Sequence, residues 1–152
     1  MKRILFVCHG NICRSAMAKM IMVDLLKQQQ LTSRFEIDSC ATSTEEIGND
    51  IYPPAKKCLA QHGIALLPHA ARQITKADYA YFDLILCMEQ YNIRNLRYTL
   101  GEELLAEDMS LPQPKIMRLL NRDVADPWYT RDFEATYKDL VEGCTRLINE
   151  CK

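Results

Sequence analysis

The stretch VCHGNICRS, residues 7–15, places a thiol, Cys8, at the end of an apolar run and a guanidinium, Arg14, six positions later, with Ser15 next. If the segment between them is a loop leading into a helix, its chemistry follows. A helix N-terminus presents unsatisfied N–H groups and the positive end of the macrodipole. A glycine, Gly10, permits a tight loop whose amides converge, and such a loop is a cradle for an anion. Arg14 adds a planar fork that takes two phosphate oxygens at once. A thiol in that setting is expected to ionise readily, since cations and helix N-termini stabilise thiolates. The groups that hold a phosphate would then also activate the nucleophile beneath it. The plainer alternative is a buried cysteine followed by a solvent-facing arginine. Of seven cysteines, only Cys8 has an arginine six residues on at a strand-to-helix junction.

Displacing a phenoxide or alkoxide also needs a proton for the leaving oxygen. Asp126, in ADPWY, is the candidate general acid. Pro127 fixes the backbone beside it, and Trp128 and Tyr129 supply flat walls for a phenyl ring. The competing reading is a simple turn, with Asp-Pro as its start and Trp128 in the core.

These residues need a scaffold that brings them together. Ile4–Cys8 is a continuous apolar run, as expected of a strand buried on both faces. Ser15 is a suitable N-cap for a helix through about Gln29, with Gln28–Gln30 ending it in solvent. Phe35–Ala41 reads as a second strand. Pro53 and Pro54 suit a helix start and Gly63 its stop, with His62 a C-terminal histidine and no further role. Leu84–Met88 reads as a third strand, followed by a helix through about Arg97. Leu100–Pro114 reads as irregular, and Lys115–Leu120 as a fourth strand or a helix. Phe133, Tyr137, Leu140, Val141, Cys144, Leu147, Ile148 and Cys151 follow the three-and-four spacing of an amphipathic helix. Strands alternating with helices indicate an α/β fold, a parallel sheet covered on both faces. Ligands bind such sheets beyond the C-terminal strand ends, where Cys8 lies.

The 152 residues suffice for one domain, read as 1–152, with a substantial core. Hydrophobic content of 48% and charged content of 26% are ordinary for a globular chain, and the net charge of −1 gives no bulk case for nucleic acid or membrane binding. No apolar run is long enough to span a bilayer, and MKRILFVCHG turns polar too soon for a signal peptide. Seven cysteines is an odd number, and no C-x-x-C pair occurs, which argues against a disulfide framework and a zinc site. Free cysteines in apolar patterns point to a reducing compartment, the cytoplasm.

VCHGNICRS resembles the signature of the low-molecular-weight protein tyrosine phosphatases. The likeness extends through ATSTEEIG, HAARQITKADYAYFDLILCM and DPWY, nearly the whole chain. The resemblance implies a four-stranded parallel twisted sheet flanked by helices and hydrolysis through a phosphocysteine, with no metal or other cofactor. It implies Cys8 as nucleophile, Arg14 as phosphate clamp and Asp126 as general acid and base. The phosphate-binding loop would run through His9, Gly10, Asn11, Ile12, Cys13 and Ser15, with Ser15 donating to the Cys8 thiolate. Asn11, Ser15, Ser39 and His69 match the family's hydrogen-bonded set that shapes the loop, although Ser39 and His69 have ordinary local alternatives. Cys13 matches a position from which several members form a protective disulfide with the nucleophile; it reads equally as a small packing residue. Expected partners are phosphotyrosine proteins or small aryl phosphates, with inorganic phosphate as product, and a monomer is expected.

Three departures bear on specificity. His9 stands where many members carry an apolar residue, Ala16 where proline is frequent, and Glu45 where many have an aromatic wall, so one side of the cleft is expected to be acidic and open. An arsenate reductase is disfavoured because no cysteine lies between Cys87 and Cys144. A phosphoarginine phosphatase tends to carry threonine where Ile12 stands. A silent phosphoprotein-binding module would lack the nucleophile or the acid, and both are present.

Overall fold

The computed structural model describes all residues, Met1–Lys152. Four strands, β1 (Lys2–Cys8), β2 (Phe35–Ala41), β3 (Leu84–Cys87) and β4 (Ile116–Arg118), form one wholly parallel sheet in the order β2-β1-β3-β4. The chain leaves β1 toward one edge to make β2 and returns to the other side to make β3. The crevice at this reversal is where such sheets bind ligands. Cys8 is the last residue of β1.

Eight helices connect and cover the strands: α1 (Arg14–Gln28), α2 (Pro53–Gln61), α3 (Lys76–Tyr81), α4 (Gln90–Asn95), α5 (Arg97–Leu100), α6 (Glu102–Ser110), α7 (Pro127–Thr130) and α8 (Phe133–Cys151). Strand alternation distributes β1 between two cores. Ile4, Phe6 and Cys8 face α1, α2 and α8, with Met17, Ile21, Leu59, Leu140 and Ile148 among their partners. Leu5 and Val7 face the opposite layer, with Ile74, Phe82, Leu96 and Leu100. Both faces are covered, as the apolar run Ile4–Cys8 of β1 requires.

The second strand and the last helix lie where the sequence puts them; Leu140, Cys144, Leu147 and Ile148 form the buried stripe of α8. Other expectations are corrected. Ser15 is not an N-cap: α1 starts at Arg14 after Cys13, which makes no side-chain cap, and Ser15 is inside the first turn with its hydroxyl turned to Cys8. Leu100–Pro114 is not irregular, because Glu102–Ser110 is helical; its weak apolar pattern hides that Asp108, its buried anchor, is an acid. Asp108 receives Tyr79 Oη at 2.7 Å and the Lys115 and Ile116 amides at 3.0 and 3.1 Å. The Lys115–Leu120 stretch is a strand only over Ile116–Arg118, and the helix expected through Arg97 breaks at Leu96 into α4 and α5. Helix α3 is announced by Thr75 and Asp78, which form a reciprocal capping box.

Candidate active site

The segment from Cys8 to Arg14 wraps around one sulfur. Cys8 Sγ accepts the Asn11 amide at 3.3 Å and the Ser15 amide at 3.4 Å, and lies 3.0 Å from Ser15 Oγ. The Ser15 hydroxyl receives Asn11 Nδ2 at 2.8 Å, so its own proton is free for the sulfur or for the Cys40 carbonyl at 3.3 Å. Burial raises the stakes of these bonds, since Cys8 is 3% exposed and Asn11 and Ser15 are fully buried.

Asn11 makes the turn. Its φ is 61°, in the left-handed region where asparagine is among the few tolerated residues. Gly10, expected to supply that freedom, does not have a positive φ. The Asn11 side chain donates to Ser39 Oγ at 3.0 Å and accepts the Arg72 amide at 3.2 Å, while the Asn11 backbone carbonyl lies 2.6 Å from His69 Nε2. Ser39, near the end of β2, and His69, in the connection between α2 and α3, thus converge on the turn from distant parts of the chain. Arg72 continues the support outward by pairing with Asp78 at 2.8 Å and Asp38 at 3.0 Å. Burial disfavours the Arg72 charge, but these carboxylates outweigh it and raise its pKa.

Arg14 is not solvent-facing. It is 2% exposed, and its guanidinium donates to the Val124 carbonyl at 3.1 Å, to Glu89 at 3.3 Å and to Asp126 at 3.3 Å. Burial opposes its charge, but Cys8, Asp126 and Glu89 over-compensate and its pKa rises. Asp126 combines both readings of ADPWY. One oxygen caps α7 through the Trp128 amide at 3.0 Å, and the other faces Arg14.

These groups line one cleft of about 560 Å3, together with His9, Gly10, Ile12 and Cys13. Trp128 forms part of its wall and is 44% exposed, so it is not a core residue; Tyr129 is 81% exposed at the lip. Glu45 lies on the rim with His9 Nε2 3.0 Å from its carboxylate. Cys13 is buried, and burial, with Cys8 and Asp126 adding to it, pushes its thiol up to about 12. It stays a neutral thiol at physiological pH, and all seven cysteines are free.

Four contributors escaped the sequence reading: Glu89, Glu46, Tyr91 and Arg72. Glu89 lies two residues past the end of β3 and Tyr91 four, so the rule that ligands bind beyond strand ends pointed to both. Arg72 acts through a backbone amide, which no residue pattern reveals.

The "Low molecular weight phosphotyrosine protein phosphatase" family profile matches residues 3–152. The protein of that name from Gallus gallus is 38% identical over 160 residues, covering 98% of this chain and 95% of its own. Among solved structures, YfkJ from Bacillus subtilis superimposes with a TM-score of 0.88 at 34% identity, covering 99% of this chain and 94% of that one. The Drosophila arginine phosphatase DARP superimposes at 0.82 with 30% identity, covering 100% and 98%. By sequence over its whole length and by fold, this chain belongs to the low molecular weight phosphotyrosine protein phosphatase family.

Proposed function

We propose that residues 1–152 are a single phosphatase domain that hydrolyses phosphotyrosine in proteins, or small aryl phosphates, through a phosphocysteine. The observation that carries this reading is the convergence of two amides and a hydroxyl on Cys8 Sγ beside the partly buried Arg14–Asp126 contact. Cys8 thiolate attacks phosphorus in line, the S–P bond forms and the bond to the leaving oxygen breaks. Arg14 and the loop amides hold the equatorial oxygens as charge shifts onto them. Asp126 gives its proton to the departing phenol, then takes one from the water that cleaves the S–P bond, releasing inorganic phosphate. Side chains and loop amides of this chain, with one water, suffice for every step. Seven free cysteines, six of them buried, favour a reducing compartment, and we read the protein as a cytoplasmic monomer.

A second reading, hydrolysis of phosphoarginine, is raised by the likeness to DARP. Ile12 weighs against it. This half-buried side chain lines the cleft, packs against a phenyl ring and offers no hydrogen bond to a guanidinium. A donor left unpaired in a dry site is costly. The test is kcat/KM without added metal on matched phosphotyrosine, phosphoserine and phosphoarginine peptides, with Cys8→Ser and Ile12→Thr alongside. Phosphotyrosine should be clearly preferred, and Cys8→Ser should abolish turnover of every substrate while still binding phosphate. Equal activity on phosphoarginine overturns the tyrosine assignment alone; near-normal turnover by Cys8→Ser overturns the mechanism.

A further inference from the structure

On the other side of an aromatic row from the cleft lies a second cavity, of about 310 Å3. Trp128, in the cleft wall, packs on Tyr52 with centroids 5.0 Å apart, and Tyr52 packs on Phe133 at 6.2 Å. Phe133 lines the second cavity, as do Cys58 and Glu134. Cys58 and His62 stand four residues apart, one turn on α2 and its C-cap, so both side chains project toward the start of α8. There Glu134 Oε1 lies 2.6 Å from His62 Nε2 and 3.8 Å from Cys58 Sγ, and the three donor atoms all fall within 4.8 Å of one another. The His62 ring is held in place by stacking on Tyr137, with centroids 3.7 Å apart.

We propose that Cys58, His62 and Glu134 bind a borderline-soft divalent cation of the zinc class, at a site separate from the phosphatase cleft. A thiolate, an imidazole and a carboxylate are the ligand types such an ion takes, typically three with one position left for water. Tetrahedral bonds of ordinary length put donor atoms roughly 3.4–3.6 Å apart, so the His62–Glu134 contact would open by under about 1 Å and the Cys58–Glu134 distance would close slightly. The cation displaces the Cys58 proton to solvent, and neutral His62 binds through Nε2 with its single ring proton on Nδ1. Thiolate and carboxylate then neutralise its two charges. A thiol binds such an ion only as thiolate, so the cation competes with the Cys58 proton and its affinity rises with pH. Lys57 and Arg131 also line the cavity, but Arg131 is engaged with Tyr52 Oη at 3.1 Å, and Asp132 is on the same wall. The sequence argument against zinc rested on missing C-x-x-C pairs. The third ligand here comes from 72 residues beyond His62, which spacing does not reveal.

Occupancy would tie α2 to the first turn of α8. That turn also holds the Asp126 segment, because Thr136 Oγ1 donates to the Ala125 carbonyl at 3.0 Å. The experiment uses the full chain carrying Cys8→Ser and Cys13→Ser, so that the cleft supplies no thiolate. Co2+ titration should give one equivalent of thiolate-to-metal charge-transfer absorption, displaced by Zn2+, and Zn2+ should raise the Tm. Cys58→Ser should remove the absorption. His62→Ala and Glu134→Gln, both exposed and safe for folding, should each weaken Zn2+ binding by roughly 10–100-fold or more. Co2+ absorption that survives Cys58→Ser, or Zn2+ affinity unchanged in both exposed variants, overturns the site and leaves His62–Glu134 a simple ion pair.

Discussion

The floor of the cleft and its rim are built by opposite means. On the floor, Asn11, Arg14 and Ser15 are buried; the Asn11 amide donates to Cys8 Sγ, its Nδ2 donates to Ser15 and Ser39, and its Oδ1 accepts the Arg72 amide. On the rim, Glu45, Trp128 and Tyr129 are exposed, and the His9–Glu45 contact joins two solvent-facing side chains. Buried networks fix geometry because each unpaired member is costly, whereas exposed pairs contribute little and are screened by salt. Under the proposed mechanism the chemistry belongs to the floor and partner choice to the rim. Changes on the floor should therefore alter kcat for every substrate, and changes on the rim should alter KM for some.

Breaking the floor at the acid gives the largest effect. Asp126→Asn should lower kcat by roughly 10²–10⁴-fold with poor leaving groups and far less with those that depart unprotonated. A uniform loss across a leaving-group series would instead make Asp126 a structural cap. Next comes the turn itself. Asn11→Ala loses both the left-handed preference and the side-chain bonds, and should cost about 1–3 kcal/mol in urea unfolding together with a fall in kcat. Asn11→Gly restores the backbone freedom alone, so stability should recover further than kcat; equal recovery would mean that the side-chain bonds do not position the loop. The rim should respond more weakly. Glu45→Gln should leave p-nitrophenyl phosphate turnover intact and raise KM by a few-fold for phosphotyrosine peptides flanked by lysine or arginine, an effect that vanishes at high salt. The same shift on acidic peptides would contradict a charge-based rim.

The smallest effect probes the outermost support of the floor. Burial works against the Asp38 charge, but the Ser39 amide, Lys19 and Arg72 outweigh it and hold its carboxyl below the usual range. A depressed folded pKa contributes stability above the unfolded value of about 3.9, and that contribution is lost as pH falls through the folded pKa. The stability gap between wild type and Asp38→Asn in urea unfolding should therefore be constant near neutrality and narrow below about pH 4. A gap independent of pH would show that the carboxylate charge is not what matters.

Legibility in the sequence followed the same divide. Cys8 and Arg14 stood out as candidates through their local spacing and Asp126 through its aromatic neighbours, and the structure brings all three into one cleft. The α/β fold was readable because β1 is apolar from Ile4 to Cys8 and α8 is periodic. Helix α6 was missed because its buried anchor is Asp108, which pattern reading treats as a surface residue. Glycine was credited with a turn that Asn11 makes, and Ser15 with a cap, because composition does not tell which partner a polar side chain finds. Glu89 and the Arg72 amide belong to the site through tertiary approach alone, at 75 and 61 residues from their partners.

Those separations set an order of events during folding. Cys8, Asn11 and Ser15 are neighbours in the chain, but the Asn11 turn is held by partners 28, 58 and 61 positions further on, and Arg14 by groups 75, 110 and 112 positions away. Contacts of such range close late, after the loops between them have lost their freedom. A nascent chain that has made β1 and α1 thus carries the thiol without the cradle, and the Val124 and Asp126 contacts of Arg14 wait for nearly the whole polypeptide. Catalytic competence is consequently a report on completed folding: recovery of turnover after dilution from urea should trail recovery of helical circular dichroism, and never precede it.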